Sequence, residues 1–154
     1  MATVSAVPQG MHTVTPVLTL KGCAEALELY KKAFGAEEIA RVPDPSGKLI
    51  WHAMIRIGDS TIFLSDEIPG MGNAARPSQL WLYGEGVDNA FKRATSAGCK
   101  ALMPPTDMFW GDRFGRLIDP FGHHWGLATH KEDVSPAEMK KRSAAAMAQM
   151  GQPA

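Results

Sequence analysis

Two stretches of this chain carry the same order of elements, and repetition of a whole supersecondary unit restricts the fold more than any single residue does. Over residues 13–20, Thr13, Thr15, Val17 and Thr19 alternate with Val14, Leu18 and Leu20, which predicts a strand covered on one face. Cys23, Ala26, Leu27, Tyr30, Ala33 and Phe34 then recur at helical spacing, and Gly35 stops the helix. Strands over 38–42, 49–57 and 61–66 follow, divided by turns at Asp44-Pro45-Ser46-Gly47 and Gly58-Asp59. The order restarts with a strand over 79–83, a helix over 87–97 stopped by Gly98, and a short strand over 101–103. A hairpin of 116–118 and 125–129, turning on Asp119-Pro120-Phe121-Gly122, completes it.

The expectation is an α+β chain of two tandem βαβββ modules. Residues 1–10 form a loose arm, 11–68 the first module, 69–77 a Pro- and Gly-rich linker and 78–131 the second module. Residues 132–154 form a helix and tail, opened by Ser135, Pro136 and Glu138 in the pattern of a capping box. Pro16 weakens the first strand, since it donates nothing to a ladder.

Charge narrows the function. Over 154 residues, Lys plus Arg equal Asp plus Glu, so no basic footprint points to nucleic acid or to an anionic membrane. No apolar run is long enough to span a bilayer, and residues 1–10 lack a signal-peptide pattern. Cys23 and Cys99 form no CxxC motif, and the default expectation is a reduced cytoplasmic protein. No phosphate-binding glycine loop, nucleophile elbow or HExxH motif occurs, and His12 has no acidic or nucleophilic neighbour, so no catalytic residue is assigned.

The densest chemistry runs from Phe109-Trp110-Gly111-Asp112-Arg113 through Asp119-Pro120-Phe121-Gly122 to Trp125. Together with 26–37, His52-Ala53, Ile57-Gly58-Asp59, Leu64-Ser65-Asp66 and Ala128-Thr129-His130, it resembles the vicinal oxygen chelate superfamily. That superfamily holds glyoxalases, bleomycin-resistance proteins and extradiol dioxygenases, and the resemblance is to its PhnB-like branch. It implies a cupped eight-stranded mixed sheet with helices outside, a small ligand inside, and a homodimer.

Strand alternation then selects the side chains that face the cup. From the first module these are Thr15, Val17, Thr19, His52, Met54, Arg56, Phe63 and Ser65; from the second, Gln79, Trp81, Tyr83, His124 and Gly126. Trp110 and Asp112 approach its mouth. Such apolar walls with few polar points suit a small-molecule pocket. Arg56 needs a carboxylate or a ligand anion, with Asp66 and Asp112 as internal candidates. Asp112 and Arg113 are expected to bond locally to backbone and fix their loop, an acid and anion clamp being the alternative.

Metal-dependent relatives hold a divalent ion with imidazoles and carboxylates, and the resemblance puts those positions near Thr15, Ser65 (or Leu64), Gln79 and Gly126. These are poor ligands, so no metal is expected there. The leading reading is a metal-free binder of a small organic molecule. One alternative is a divalent-metal lyase, isomerase or dioxygenase in which His52 is joined by His123, His124 or Asp66. Another is an interaction protein whose cup is filled by its own side chains.

Overall fold

The structure is a computed structural model that describes residues 3–151. Residues 1–2 of the expected arm and 152–154 of the expected tail lie outside the described residues. In chain order the elements are β1 (Val17–Leu20), α1 (Cys23–Phe34), β2 (Glu37–Pro43), β3 (Ile50–Ile57), β4 (Ser60–Asp66), β5 (Gln79–Tyr83), α2 (Val87–Ala97), β6 (Lys100–Asp107), β7 (Asp112–Ile118), β8 (His124–His130) and α3 (Pro136–Met150). The strands form two four-stranded sheets, ordered β1-β4-β3-β2 and β5-β8-β7-β6. In each, the first strand lies parallel to the last of its module and the other pairs are antiparallel. The repeated βαβββ topology is thus as the sequence predicts.

One face of each sheet packs on a helix. Leu18, Leu20, Ala53, Ile55, Ile62 and Leu64 are buried with Cys23, Ala26, Leu27 and Tyr30 of α1. Phe91 and Ala94 of α2 meet Leu117, Trp125 and Leu127 in the same core. Neither helix caps its first turn with its own side chain; the last strand of each module does so instead. Asp66 Oδ1 accepts from Gly22 N and Cys23 N at 3.0 and 2.9 Å, and Oδ2 from Ile50 N at 2.7 Å. In the second module Thr129 Oγ1 accepts from Val87 N at 3.1 Å and donates to Gly84 O at 2.6 Å. Orphan amides at helix starts are thereby satisfied through tertiary structure.

The modules join through their helices. Tyr30 donates to Asp119 Oδ2 at 2.6 Å, and Trp125 Nε1 donates to the same oxygen at 2.8 Å. Phe121 N and His123 N bond the other oxygen, so the Asp119 turn is fastened to α1. Phe34 packs on Trp125 with centroids 4.4 Å apart. Arg93 Nε and Nη2 donate to Lys32 O and Lys31 O, satisfying carbonyls at the end of α1 from α2. Burial first, and then Asp119, push the Tyr30 hydroxyl far above its ordinary pKa.

Four expectations change. The first strand begins at Val17, not residue 13, and Val14 is 80% exposed, not helix-packed; Pro16 ends the ladder there, its carbonyl accepting from Phe63 N. The strand placed at 101–103 runs Lys100–Asp107 along the sheet edge, where Pro104 and Pro105 and two register shifts are tolerated. Asp112 and Arg113 belong to β7 and not to a loop. At the C-terminal helix, Ser135 caps Glu138 N, while the Glu138 side chain turns to Arg142 and completes no capping box. No residue of α3 is buried.

Candidate ligand site

The face of the second sheet away from the helices is aromatic. Trp81 on β5 and Phe114 on β7 stack with centroids 4.1 Å apart and planes 5° from parallel. Trp110 stands 6.2 Å from Trp81 and 6.0 Å from Phe114, and Tyr83 5.9 Å from Trp81. The stack lies over Gly126 on β8: a Cβ there would meet Phe114 Cε2 at 2.6 Å and Trp81 Cε3 at 3.3 Å. Only glycine leaves room for the rings.

Asp112 gathers the polar groups around this aromatic face. It is 2% exposed, accepts from Tyr83 Oη and Trp110 Nε1 at 2.8 Å each, and meets His130 Nδ1 at 2.8 Å. Burial pulls its carboxyl upward, but the bonds from His130, Tyr83 and Trp110 together outweigh that and hold it below the usual range. The bond to Asp112 raises Tyr83, and Asp112 followed by Asp133 raises His130. The local-backbone expectation for this pair is corrected, since both residues bond side chains. Arg113 pairs with Asp88 of α2 at 2.8 and 2.9 Å and with Asp107 at 3.2 Å, so it ties α2 to β7 and is spent as an anion clamp.

The first sheet presents a sparser face. His52 packs edge-on to Phe63 with centroids 4.8 Å apart, and Met54 and Val17 stand level with Phe63 on either side. Thr19 stands opposite Ser65; Thr15 precedes β1 and is partly buried. Arg56 is exposed and pairs with no carboxylate among the described residues. Asp66 and Asp112, offered as its partners, are committed to the α1 start and to the Tyr83–Trp110–His130 cluster. No hydrogen bond or aromatic contact joins the two cup faces among the described residues. The structure therefore gathers Gln79, Trp81, Tyr83, Asp112, His124 and Gly126 on one sheet, with Trp110 in the turn that enters β7, and Val17, His52, Met54, Arg56, Phe63 and Ser65 on the other.

Two residues of the second face escape sequence reading: Phe114, because β7 begins at Asp112 and not at 116, and Arg116, which lies within the expected 116–118 strand but in a run of three too short to show which side chains face the cup. A separate cleft of about 160 Å³ lies on the helix side at the seam, lined by Phe34, Ile57, Leu82, Val87 and Ala90.

The residues present do not fit a divalent metal. Gln79 stands opposite His124, not Gly126, and Gly126 offers a backbone covered by two rings. Among the described residues no three His, Cys, Asp or Glu side chains cluster to hold an ion. The His52-based set is likewise not assembled: His123 is buried with Nδ1 accepting from Ser78 N, and Asp66 caps α1. His123 is not the turn decoration its position suggests. Cys23 and Cys99 are free and buried, and burial pushes their thiols up to about 12 and about 11.

The family model of the Glyoxalase/Bleomycin resistance protein/Dioxygenase superfamily matches residues 11–127. The chain belongs to this superfamily. Uncharacterized protein Mb0911c of Mycobacterium bovis is 40% identical over 147 residues, covering 90% of this chain and 93% of that protein. Protein YjdN of Escherichia coli is 27% identical, covering 77% of this chain and 96% of that one. The crystal structure of TioX from Micromonospora sp. ML1 superposes with a TM-score of 0.64 at 25% identity, over 76% of this chain and 98% of TioX. A superfamily member from Sphaerobacter thermophilus, 21% identical over 77% and 98% of the two chains, gives a TM-score of 0.57 and supports the fold. Among the described residues no helix is long and apolar enough to cross a membrane.

Proposed function

We propose that this superfamily member binds a small organic molecule in an aromatic cup and does so without the superfamily metal centre. One observation carries the reading: where a metal-binding relative would present its last carboxylate, Gly126 lies beneath the Phe114–Trp81 stack. Flat aromatic walls reward a ring-bearing ligand through stacking and apolar burial. In this reading His52, Arg56 and Gln79 orient the ligand. The 109–125 segment supports assignment to the PhnB-like branch, and two free buried thiols agree with a reducing, cytoplasmic setting.

A second copy of the chain completes the cup. Val17, Trp81 and Tyr83, on the two cup faces, are 59%, 38% and 65% exposed. An open aromatic face of this kind favours self-association into a closed dimer. Native mass spectrometry of freshly purified protein tests the proposal in one measurement. A dimer carrying a co-purified organic ligand and no metal is expected; a metal-loaded species, or a ligand-free monomer, overturns it.

A further inference from the structure

The cup face of the second sheet carries two polar groups that the fold leaves without partners. Arg116 lies between Phe114 and Ile118 on β7, level with Gly126, and is partly buried. No carboxylate pairs with it among the described residues. The nearby acids are engaged elsewhere: Asp112 with Tyr83, Trp110 and His130, Asp88 and Asp107 with Arg113, and Asp119 with Tyr30 and Trp125. On the same face His124 stands level with Gln79 and Ile118, and its Nδ1 is buried with no hydrogen-bond partner among the described residues.

A guanidinium drawn partly out of water without a counter-charge is costly, and its planar fork matches a carboxylate, sulfonate or phosphate. An imidazole nitrogen left without a partner is costly for the same reason. Both sit beside the Trp81–Phe114 stack, whose flat geometry matches a ring. We infer that this half-cup takes a planar organic anion, its ring laid against Trp81 and its anionic group held by Arg116 and His124. The inference rests on the small-molecule reading of the cup and narrows it to a chemical class. Because the chain has no net charge, the preference arises from these groups and not from a long-range field.

Two probes that share an anilinonaphthalene ring system separate the claims: 8-anilinonaphthalene-1-sulfonate and the uncharged N-phenyl-1-naphthylamine. Their binding is read by energy transfer from tryptophan in wild type, Arg116→Met and Arg116→Lys, with circular dichroism confirming that each variant folds. The expected result is sulfonate binding about tenfold tighter than the neutral probe, a ratio that collapses in Arg116→Met and is partly restored in Arg116→Lys. Equal affinities with no change in Arg116→Met overturn the anion inference and leave the aromatic cup standing. Binding of neither probe overturns the cup reading and the inference together.

Discussion

Phe114 lies flat on Trp81, 4.1 Å away and 5° from parallel, because the residue beneath both rings, Gly126, has no side chain. The stack and the glycine are one device: the rings of β5 and β7 meet across the intervening β8, and the vacancy that admits them removes a potential metal ligand.

Gly126→Ala drives a methyl into Phe114 and is expected to destabilise the fold by about 1–3 kcal/mol, as overpacking does. Urea denaturation checks this. In a Phe114→Ala background the same change should cost much less, and equal cost in both backgrounds would show that ring and glycine are not coupled.

Asp119 links the modules by accepting from Tyr30, Trp125, Phe121 and His123. Asp119→Ala strands these donors in a dry seam and should cost about 3–5 kcal/mol, whereas Tyr30→Phe should cost about 1–2 kcal/mol. Both follow from equilibrium unfolding, and a neutral Asp119→Ala would contradict the seam as described.

His130 bonds Asp112 and Asp133, and its pKa is raised above the ordinary 6.5, by Asp112 first. A raised folded-state pKa means that its stabilising effect is complete below about pH 6.5 and is lost as pH rises through the folded value. NMR titration should find His130 above the free-imidazole value in wild type and shifted down in Asp112→Asn. An unshifted His130 in that variant would remove Asp112 as the cause.

Arg113→Ala should free the N-terminal turn of α2 from β7, where Asp88 takes the guanidinium Nε and Nη2. The pair is solvent-accessible, so the expected loss is small, about 1 kcal/mol or less, and reduced further by salt. A large loss measured by thermal unfolding would mean that Arg113 serves the site more directly.

Much of this architecture was legible because alternation and helical spacing report burial directly. Ile55 and Leu64 fall inward and His52 and Phe63 outward, as a period of two requires. β7 was not legible over its full length. Its helix face includes Gly115, where a Cβ would meet the Phe91 ring at 2.9 Å, so the small residue that packing demands removes the apolar signal of a strand. Phe114 lies beyond the legible 116–118 run for that reason, whereas Arg116 lies within it. Asp66 and Asp119 act across 44 and 89 residues of sequence, on Gly22 and Tyr30 respectively, and no local pattern announces such bonds.

The central claim is that the aromatic stack over Gly126 stands in place of a metal centre, and elemental analysis tests it most directly. Protein purified without chelator from cells grown with added zinc, nickel, manganese and iron should contain only traces of each. A stoichiometric divalent metal per chain that is lost in Gln79→Ala would contradict the account.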